Sequence, residues 1–265
     1  MTSHGRDVRP GIALHSRGLL AVTVLAGLDP DATAMLAAGL LTRTERCAVV
    51  WIDPTTAEHG HLTWRVDDSD GRHATGRSDI VDDCLPCALR AVVLHRLIEL
   101  RDAGTCDAVV VRLHPAVEVE AIVASLCAGL PADLARIDTI ACVLDATTWL
   151  ADLAGDDDLH SRGLAIGPHD DRSVSMLLGS QLDVADRIVL LTSGTGLQPL
   201  PAEQWTALRA LAPDARRFVP PTVLDVPAGQ LLRTGAHHPR CLHPLAERGL
   251  LDWNQTGPDD RPGAS

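Results

Sequence analysis

Short, uninterrupted apolar runs alternate along most of the chain with segments in which apolar residues recur every three or four positions. The uninterrupted runs are Leu19–Ala26, Cys47–Asp53, Asp107–Leu113, Thr139–Leu144 and Ile188–Thr192. Their length and their content of Val, Ile and Leu suit strands covered on both faces. Helical spacing predicts a helix capped by Asp31 and running to about Leu41. It predicts further helices through Leu89, Val92, Val93, Leu97 and Leu100, over Val117–Cys127, over Val174–Val184 and from Gln204 to Leu211, the last with Pro201 near its start. Two polar stretches interrupt the alternation. Pro54–Val81 is rich in Gly, Asp and His, and its Leu62, Trp64 and Val66 are spaced as one face of a hairpin. Asp156–Arg172 is a polar insert, and Phe218–Val219 opens a short extended piece. No internal repeat is present.

Strands alternating with helices predict an α/β fold with a doubly wound, mainly parallel sheet. In such sheets ligands gather beyond the carboxyl ends of the strands. That rule places Gly27–Asp31, Asp53, the 112–116 turn, Asp145 and Thr192–Gly196 on the functional rim. Residues 1–17 read as a disordered lead-in.

Composition narrows the partners more than the fold. The 265 residues are 46% hydrophobic but only 2% aromatic, so the core is aliphatic. A net charge of −12 speaks against a broad nucleic-acid surface, and direct DNA binding is not expected. No apolar run reaches the roughly 20 residues of a membrane span, so no membrane association is expected. Arg9, Arg17, Gly18–Leu28 and Ala32-Thr33-Ala34 imitate a signal peptide, but Asp29 and Asp31 crowd its cleavage site and a buried first strand explains the same residues. Cys47, Cys106, Cys127 and Cys142 lie in or beside apolar runs and read as small buried hydrophobes in a reducing cytoplasm.

The candidate chemistry centres on Cys84 and Cys87, three residues apart where a helical run opens. Backbone N–H groups and the positive end of the helix dipole favour thiolate there. The pair supports three readings. It supplies half of a four-ligand zinc site, completed from His59, His61, His73 or His114. Alternatively it exchanges disulfides, a chemistry that the neighbouring carboxylates of Asp82 and Asp83 would blunt by raising the thiol pKa. Or it merely packs at the helix start. His237, His238, Cys241 and His243 have ligand chemistry at close spacing but read as loop residues with exposed imidazoles. Asp53 and Asp145 read as solvated or helix-capping carboxylates. No Ser/His/Asp order or glutamate pair marks a hydrolase site, and no catalytic residue is assigned.

The order of these pieces resembles the N-terminal GTPase domain of the CobW-like metallochaperone family. Leu19–Leu41 looks like its first strand, phosphate loop and first helix. Cys84-Leu85-Pro86-Cys87-Ala88-Leu89-Arg90 looks like its metal motif, with Pro86 where the family has a cysteine. Ile140–Leu150 and Leu178–Leu191 resemble its strand ending in V-D-A and its Q-x-x-x-A-D helix with the following strand. Ala236–His243 resembles the segment that opens its C-terminal domain. The resemblance implies a P-loop-NTPase-like domain over residues 18–220, the truncated start of a second domain and a tail over 221–265, and zinc as the metal, held by Cys84 and Cys87.

The nucleotide motifs depart from the family. A phosphate loop needs G-x-x-x-x-G-K-[S/T], so that backbone N–H groups cradle phosphate while Lys and a hydroxyl manage charge and Mg²⁺. Gly27 holds the first position, but Ala32, Thr33 and Ala34 stand where Gly, Lys and Ser/Thr belong. Pro30 removes a donor, and Asp29 and Asp31 add negative charge. Arg112 replaces the acid expected after the third strand, and Leu191-Thr192-Ser193-Gly194 replaces the guanine-reading motif. GTP binding and hydrolysis are therefore not expected. The C-x-x-C-x-x-R spacing of Cys84, Cys87 and Arg90, and Val110–Pro115 with Glu118, resemble a degenerate branch of the family. That branch recruits a ribosome hibernation factor under zinc limitation, which implies a non-hydrolysing adaptor with the hibernation factor and the ribosome as partners. The alternative is a zinc metallochaperone working through Cys84 and Cys87.

Overall fold

The structure is a computed structural model that describes residues 19–81, 84–191 and 200–237. The first apolar run becomes β1 (Leu20–Gly27), buried along its whole length. It lies at the centre of the sheet, paired in parallel with β5 (Ala108–Arg112) on one side and β6 (Ala135–Asp145) on the other. β2 (Cys47–Asp53) extends the parallel set beyond β5, and β7 (Arg187–Leu191) and β8 (Arg216–Phe218) extend it beyond β6. The polar stretch after β2 forms an antiparallel hairpin, β3 (His61–Asp68) and β4 (His73–Asp79), which closes one edge. The full order is β4-β3-β2-β5-β1-β6-β7-β8, a doubly wound, mainly parallel α/β sheet as the alternation predicts.

Period-2 alternation sorts the central strands between two cores. Val22, Val24 and Ala26 of β1 face one side with α2 (Leu85–Ala103) and α3 (Val119–Gly129), whereas Leu25 faces the other with α1 (Pro30–Arg43). α4 (Trp149–Ala154), α5 (Val174–Asp183) and α6 (Ala202–Leu211) cover the β6–β7 end. α2 stops at Gly104, whose φ of +66° is the left-handed cap that favours glycine. Among the described residues no helix is long and apolar enough to cross a membrane.

Three local features differ from the sequence expectations. α1 is capped by Asp29 rather than Asp31, because Pro30 is already in the first turn, where its fixed φ suits it. β6 begins at Ala135, four residues before the apolar run, because Ala135–Ile137 pair with Leu20–Val22 through a polar interruption at Asp138. Cys47, Cys106 and Cys142 are buried as expected, but Cys127 is exposed near the end of α3, on the face that α3 turns to solvent.

Beyond β8 the chain makes short 3-10 turns at Val223–Asp225 and Ala228–Gln230 and then runs as a strap across the amino ends of the central strands. The hydroxyl of Thr23 donates to the Leu231 carbonyl at 2.7 Å. Val226, Leu231 and Leu232 complete the core beneath α1. Residues 221–237 therefore pack against the α/β domain, not away from it.

Candidate functional site

The rim at the carboxyl ends of β1 and β6 is built by close approach. A Cβ on Gly27 would lie 2.6 Å from the Val143 carbonyl oxygen, so only glycine lets β1 end against β6. Leu28 and Asp29 alone then separate β1 from α1. The Asp29 carboxylate accepts from the N–H of Asp31 at 2.8 Å and of Ala32 at 3.0 Å, and its carbonyl accepts from the Thr33 N–H at 3.2 Å. Pro30 has no N–H to offer. The donors that a helix start presents to phosphate are thus taken by one residue of the chain itself.

The residues aligned with a phosphate loop do other work. Gly27 serves strand packing. Thr33 is 1% exposed, and its hydroxyl donates back to the Pro30 carbonyl at 3.0 Å, turned away from the rim. Ala34 carries no polar group. No Lys or Mg²⁺-binding hydroxyl points outward from this turn.

Beside the turn lies a cavity of about 290 Å³, lined among others by Asp29, Asp145, Trp149, Asp152 and Arg162. Among the described residues its one lining cation, Arg162, is committed to Asp152 at 2.7 Å and Asp157 at 3.2 Å. Asp145 accepts from the N–H and hydroxyl of Thr147 at 2.7 and 2.6 Å. Asp53 accepts in the same way from Thr55, at 2.9 and 2.7 Å. Each carboxylate closes its own turn. With three carboxylates on its wall and its guanidinium paired, the cavity disfavours a triphosphate.

Arg112, at the end of β5, stacks over the Trp51 ring at 5.0 Å. Burial lowers its pKa, and the facing charges of Asp31 and Asp53 act in the opposite direction. A basic residue thus stands near two rim carboxylates. Burial also lowers the pKa of His114, more than Asp53 raises it. The His114 Nδ1 accepts from the Ala116 N–H at 3.2 Å, so the neutral ring closes its own turn.

Cys84 caps α2 on this same rim, because β4 climbs to it and α2 descends from it. Its sulfur accepts from the Cys87 N–H at 3.4 Å, and the two cysteines are joined as a disulfide. Cys87 is exposed and Cys84 half-buried. A disulfide offers no thiolate to a metal, so the zinc reading of this pair is not met in this form. The proposed co-ligands are also dispersed. His59 and His61 lie at the rim end of the hairpin, where the His61 Nδ1 contacts the His59 carbonyl at 3.2 Å and His59 stands beside Glu58. His73 opens β4 opposite Asp67, at the other end of the hairpin and about 20 Å from His61 at the usual strand rise. Among the described residues no three His, Cys, Asp or Glu side chains are grouped as a metal site. The residues present do not fit a closed four-ligand zinc centre.

His237 is buried, not exposed as its loop context suggests. Its Nδ1 is 3.2 Å from an Asp186 carboxylate oxygen, beyond the amino ends of the strands and far from Cys84. His238, Cys241 and His243 lie outside the described residues, as do Asp82, Asp83 and the 192–196 turn. The Asp29 cap and the His237–Asp186 pair were missed in the sequence. Asp29-Pro30 was a usable signal for the first, whereas nothing local marks the second.

No protein-family profile matches this sequence, and no curated protein matches it. Among solved structures it is similar to the crystal structure of the Zn(II)-bound YjiA GTPase from E. coli. The identity is 17% and the TM-score 0.52, over 83% of this chain and 63% of that one. A Zn(II)-bound triple mutant of the same GTPase aligns at 18% identity and a TM-score of 0.52 over the same shares. The chain spans 63% of the length of the structures that it matches. What is shared at this identity is the architecture: the chain has the fold of the YjiA GTPase, with Asp29 as the cap of its first helix.

Proposed function

We propose that this protein is a non-hydrolysing adaptor in zinc homeostasis, built on a GTPase fold that no longer takes nucleotide. The observation that carries the reading is the Asp29 cap, which occupies the first-turn N–H groups and sets a carboxylate where phosphate would need positive surroundings. A rim that performs no hydrolysis leaves a protein partner as the object of the fold. The resemblance in the sequence points to a ribosome hibernation factor and the ribosome, under zinc limitation. The zinc-bound state of the structural neighbours supports the metal context.

Two experiments bear on this reading. Calorimetric titration with GTP or GDP and Mg²⁺ up to millimolar concentration is expected to give no heat and no thermal shift; saturable binding would remove the proposal. Affinity capture with the full chain from zinc-limited cells is expected to enrich ribosomes and a hibernation factor over a control. Equal recovery in the control would remove the partner.

The Cys84–Cys87 disulfide supports a second reading, in which the pair is a redox-gated metal ligand. A dithiol reductant supplies two electrons and two protons and is itself oxidised to a disulfide. The Cys84 and Cys87 thiols so formed release their protons on binding metal and offer two of the roughly four donors that zinc prefers. Zinc titration of reduced chain against Cys84→Ser and Cys87→Ser decides it. One fewer zinc in either variant supports the reading, and equal stoichiometry ends it.

A further inference from the structure

The hairpin leaves the sheet with one open side. Among the described residues β4 pairs with β3 alone and is the outer strand of its edge. The alternation of an antiparallel ladder fixes which of its backbone groups face outward. The N–H of Asp68 donates to the Arg72 carbonyl at 3.0 Å, and that of Ile80 to the Gly60 carbonyl at 2.8 Å. The even-numbered residues between them, Ala74, Gly76 and Ser78, therefore direct their bonds to Val66, Trp64 and Leu62 of β3. His73, Thr75, Arg77 and Asp79 turn their N–H and C=O groups outward, and all four residues are exposed.

Sheet edges are ordinarily blunted by proline, lysine, a bulge or shortness. β4 has seven residues, no proline and no lysine, and its register against β3 is uninterrupted. Its centre carries no side chain. A Cβ on Gly76 would lie 2.3 Å from the Trp64 ring, so nothing but glycine fits there, and nothing projects to hold a neighbouring strand away. The outward residues are also their own complement. An antiparallel copy of β4 centred on Gly76 sets His73 opposite Asp79 and Thr75 opposite Arg77, and every bonded pair joins two outward residues. Centring the pairing on Thr75 would set Arg77 opposite His73, and centring it on Arg77 would set that cation opposite itself. Within one chain His73 already stands opposite Asp67, and Asp79 opposite His61. The joined sheet would thus carry a row in which acid and imidazole alternate: Asp67, His73, then Asp79 and His61 of the second copy.

We propose that β4 is the interface of a two-fold symmetric dimer, in which the edges of two copies pair antiparallel about Gly76 and join their sheets into one. The occupant is a second copy because the complementarity of charge is to the strand itself. The flanking helices leave room for it. α2 packs over the Leu62 and Trp64 face of β3, and the β3 strands of the two copies would lie about 14 Å apart at the usual strand spacing. Helices pack at roughly 8–10 Å, so the two α2 helices do not collide. The dimer uses neither the Asp29 rim nor the chemistry proposed above, so either inference can fail alone.

The test is sedimentation equilibrium of the full chain, with exposed thiols alkylated beforehand so that no intermolecular disulfide forms. The wild type is expected to show a monomer–dimer equilibrium with a dissociation constant below about 500 μM, as suits an interface smaller than the standard size. Thr75→Pro removes an outward donor and no bond to β3, so it is expected to keep the thermal midpoint and abolish the dimer. Thr75→Glu sets a carboxylate opposite Arg77 of the second copy, at two symmetric positions, and is expected to tighten the dimer about fivefold. Adding Arg77→Glu sets like charges opposite each other and is expected to make the dimer weaker than the wild type. A wild type that stays monomeric to about 500 μM would overturn the proposal and leave the edge to a strand of another protein. A folded Thr75→Pro chain that dimerises as the wild type does, or a Thr75→Glu dimer no tighter than the wild type, would overturn it equally. Should Thr75→Pro not fold, the glutamate variants decide.

Discussion

At the carboxyl ends of the central strands the carboxylates bind their own turns; at the amino ends they hold distant chain. Asp53 and Asp145 each accept from a threonine two residues on, and Asp29 caps the helix that it precedes. Asp138, in contrast, is fully buried and accepts from the N–H groups of Thr234 at 2.6 Å and Gly235 at 2.9 Å, with Arg136 and the Thr139 hydroxyl as further donors. Asp186 pairs with the buried ring of His237, while Asp107 pairs with Arg46 and Arg233 at the surface. Local, solvated hydrogen bonds contribute little to stability and leave a surface free to change. Buried charge-assisted bonds between distant segments are costly to break. The rim is therefore held by local bonds, while the amino edge carries the closure of the strap.

That contrast can be broken most directly at Asp138. Asp138→Ala takes the acceptor from the half-buried N–H groups of Thr234 and Gly235 and is expected to cost about 2 to 4 kcal/mol in urea unfolding. A cost under about 1 kcal/mol would mean that the strap is not held as described. The next effect is a pH dependence. Because the His237 pKa is raised in the folded chain from 6.5 to about 9, its contribution is complete below pH 6.5 and is lost as pH rises through about 9. The urea midpoint is expected to fall over that window by the equivalent of up to about 3 kcal/mol, and the fall to flatten in His237→Gln. A wild-type profile that is level from pH 6.5 to 9.5 would contradict the pairing.

Substitutions on the rim are expected to do less. Gly27→Ala forces a methyl against the Val143 carbonyl and is expected to cost about 1 to 3 kcal/mol, with no change in nucleotide binding. Asp29→Ala removes a helix cap and is expected to cost about 1 kcal/mol by thermal unfolding. If Asp29 fills the phosphate position, the same variant should also gain a thermal shift with millimolar inorganic phosphate that the wild type lacks. A variant as indifferent to phosphate as the wild type would show that the position is not an anion seat even when empty.

Much of the fold was legible because it is written in short-range patterns. LAVTVL, CAVVWI and IVLL are apolar throughout since the strands that they form are covered on both faces, and α2 shows its buried stripe at Leu89, Val93, Leu97 and Leu100. Illegible were β6 before Thr139, where a buried aspartate breaks the apolar pattern, and the exposure of Cys127, whose neighbours are as apolar as those of the buried cysteines.

By itself the sequence determined the alternation of strands and helices, a first turn that carries Asp29 and Pro30 and no lysine, and a cysteine pair at the start of a helix. Each depends on residues within one or two turns of each other, where spacing and propensity decide. Only the tertiary structure decided that Asp29 takes the first-turn donors, that Cys84 and Cys87 form a disulfide with His73 at the far end of the hairpin, and that His237 reaches Asp186. Those outcomes depend on which distant groups burial brings together. A carboxylate or an imidazole carries no mark in the chain of the partner that will desolvate or charge it.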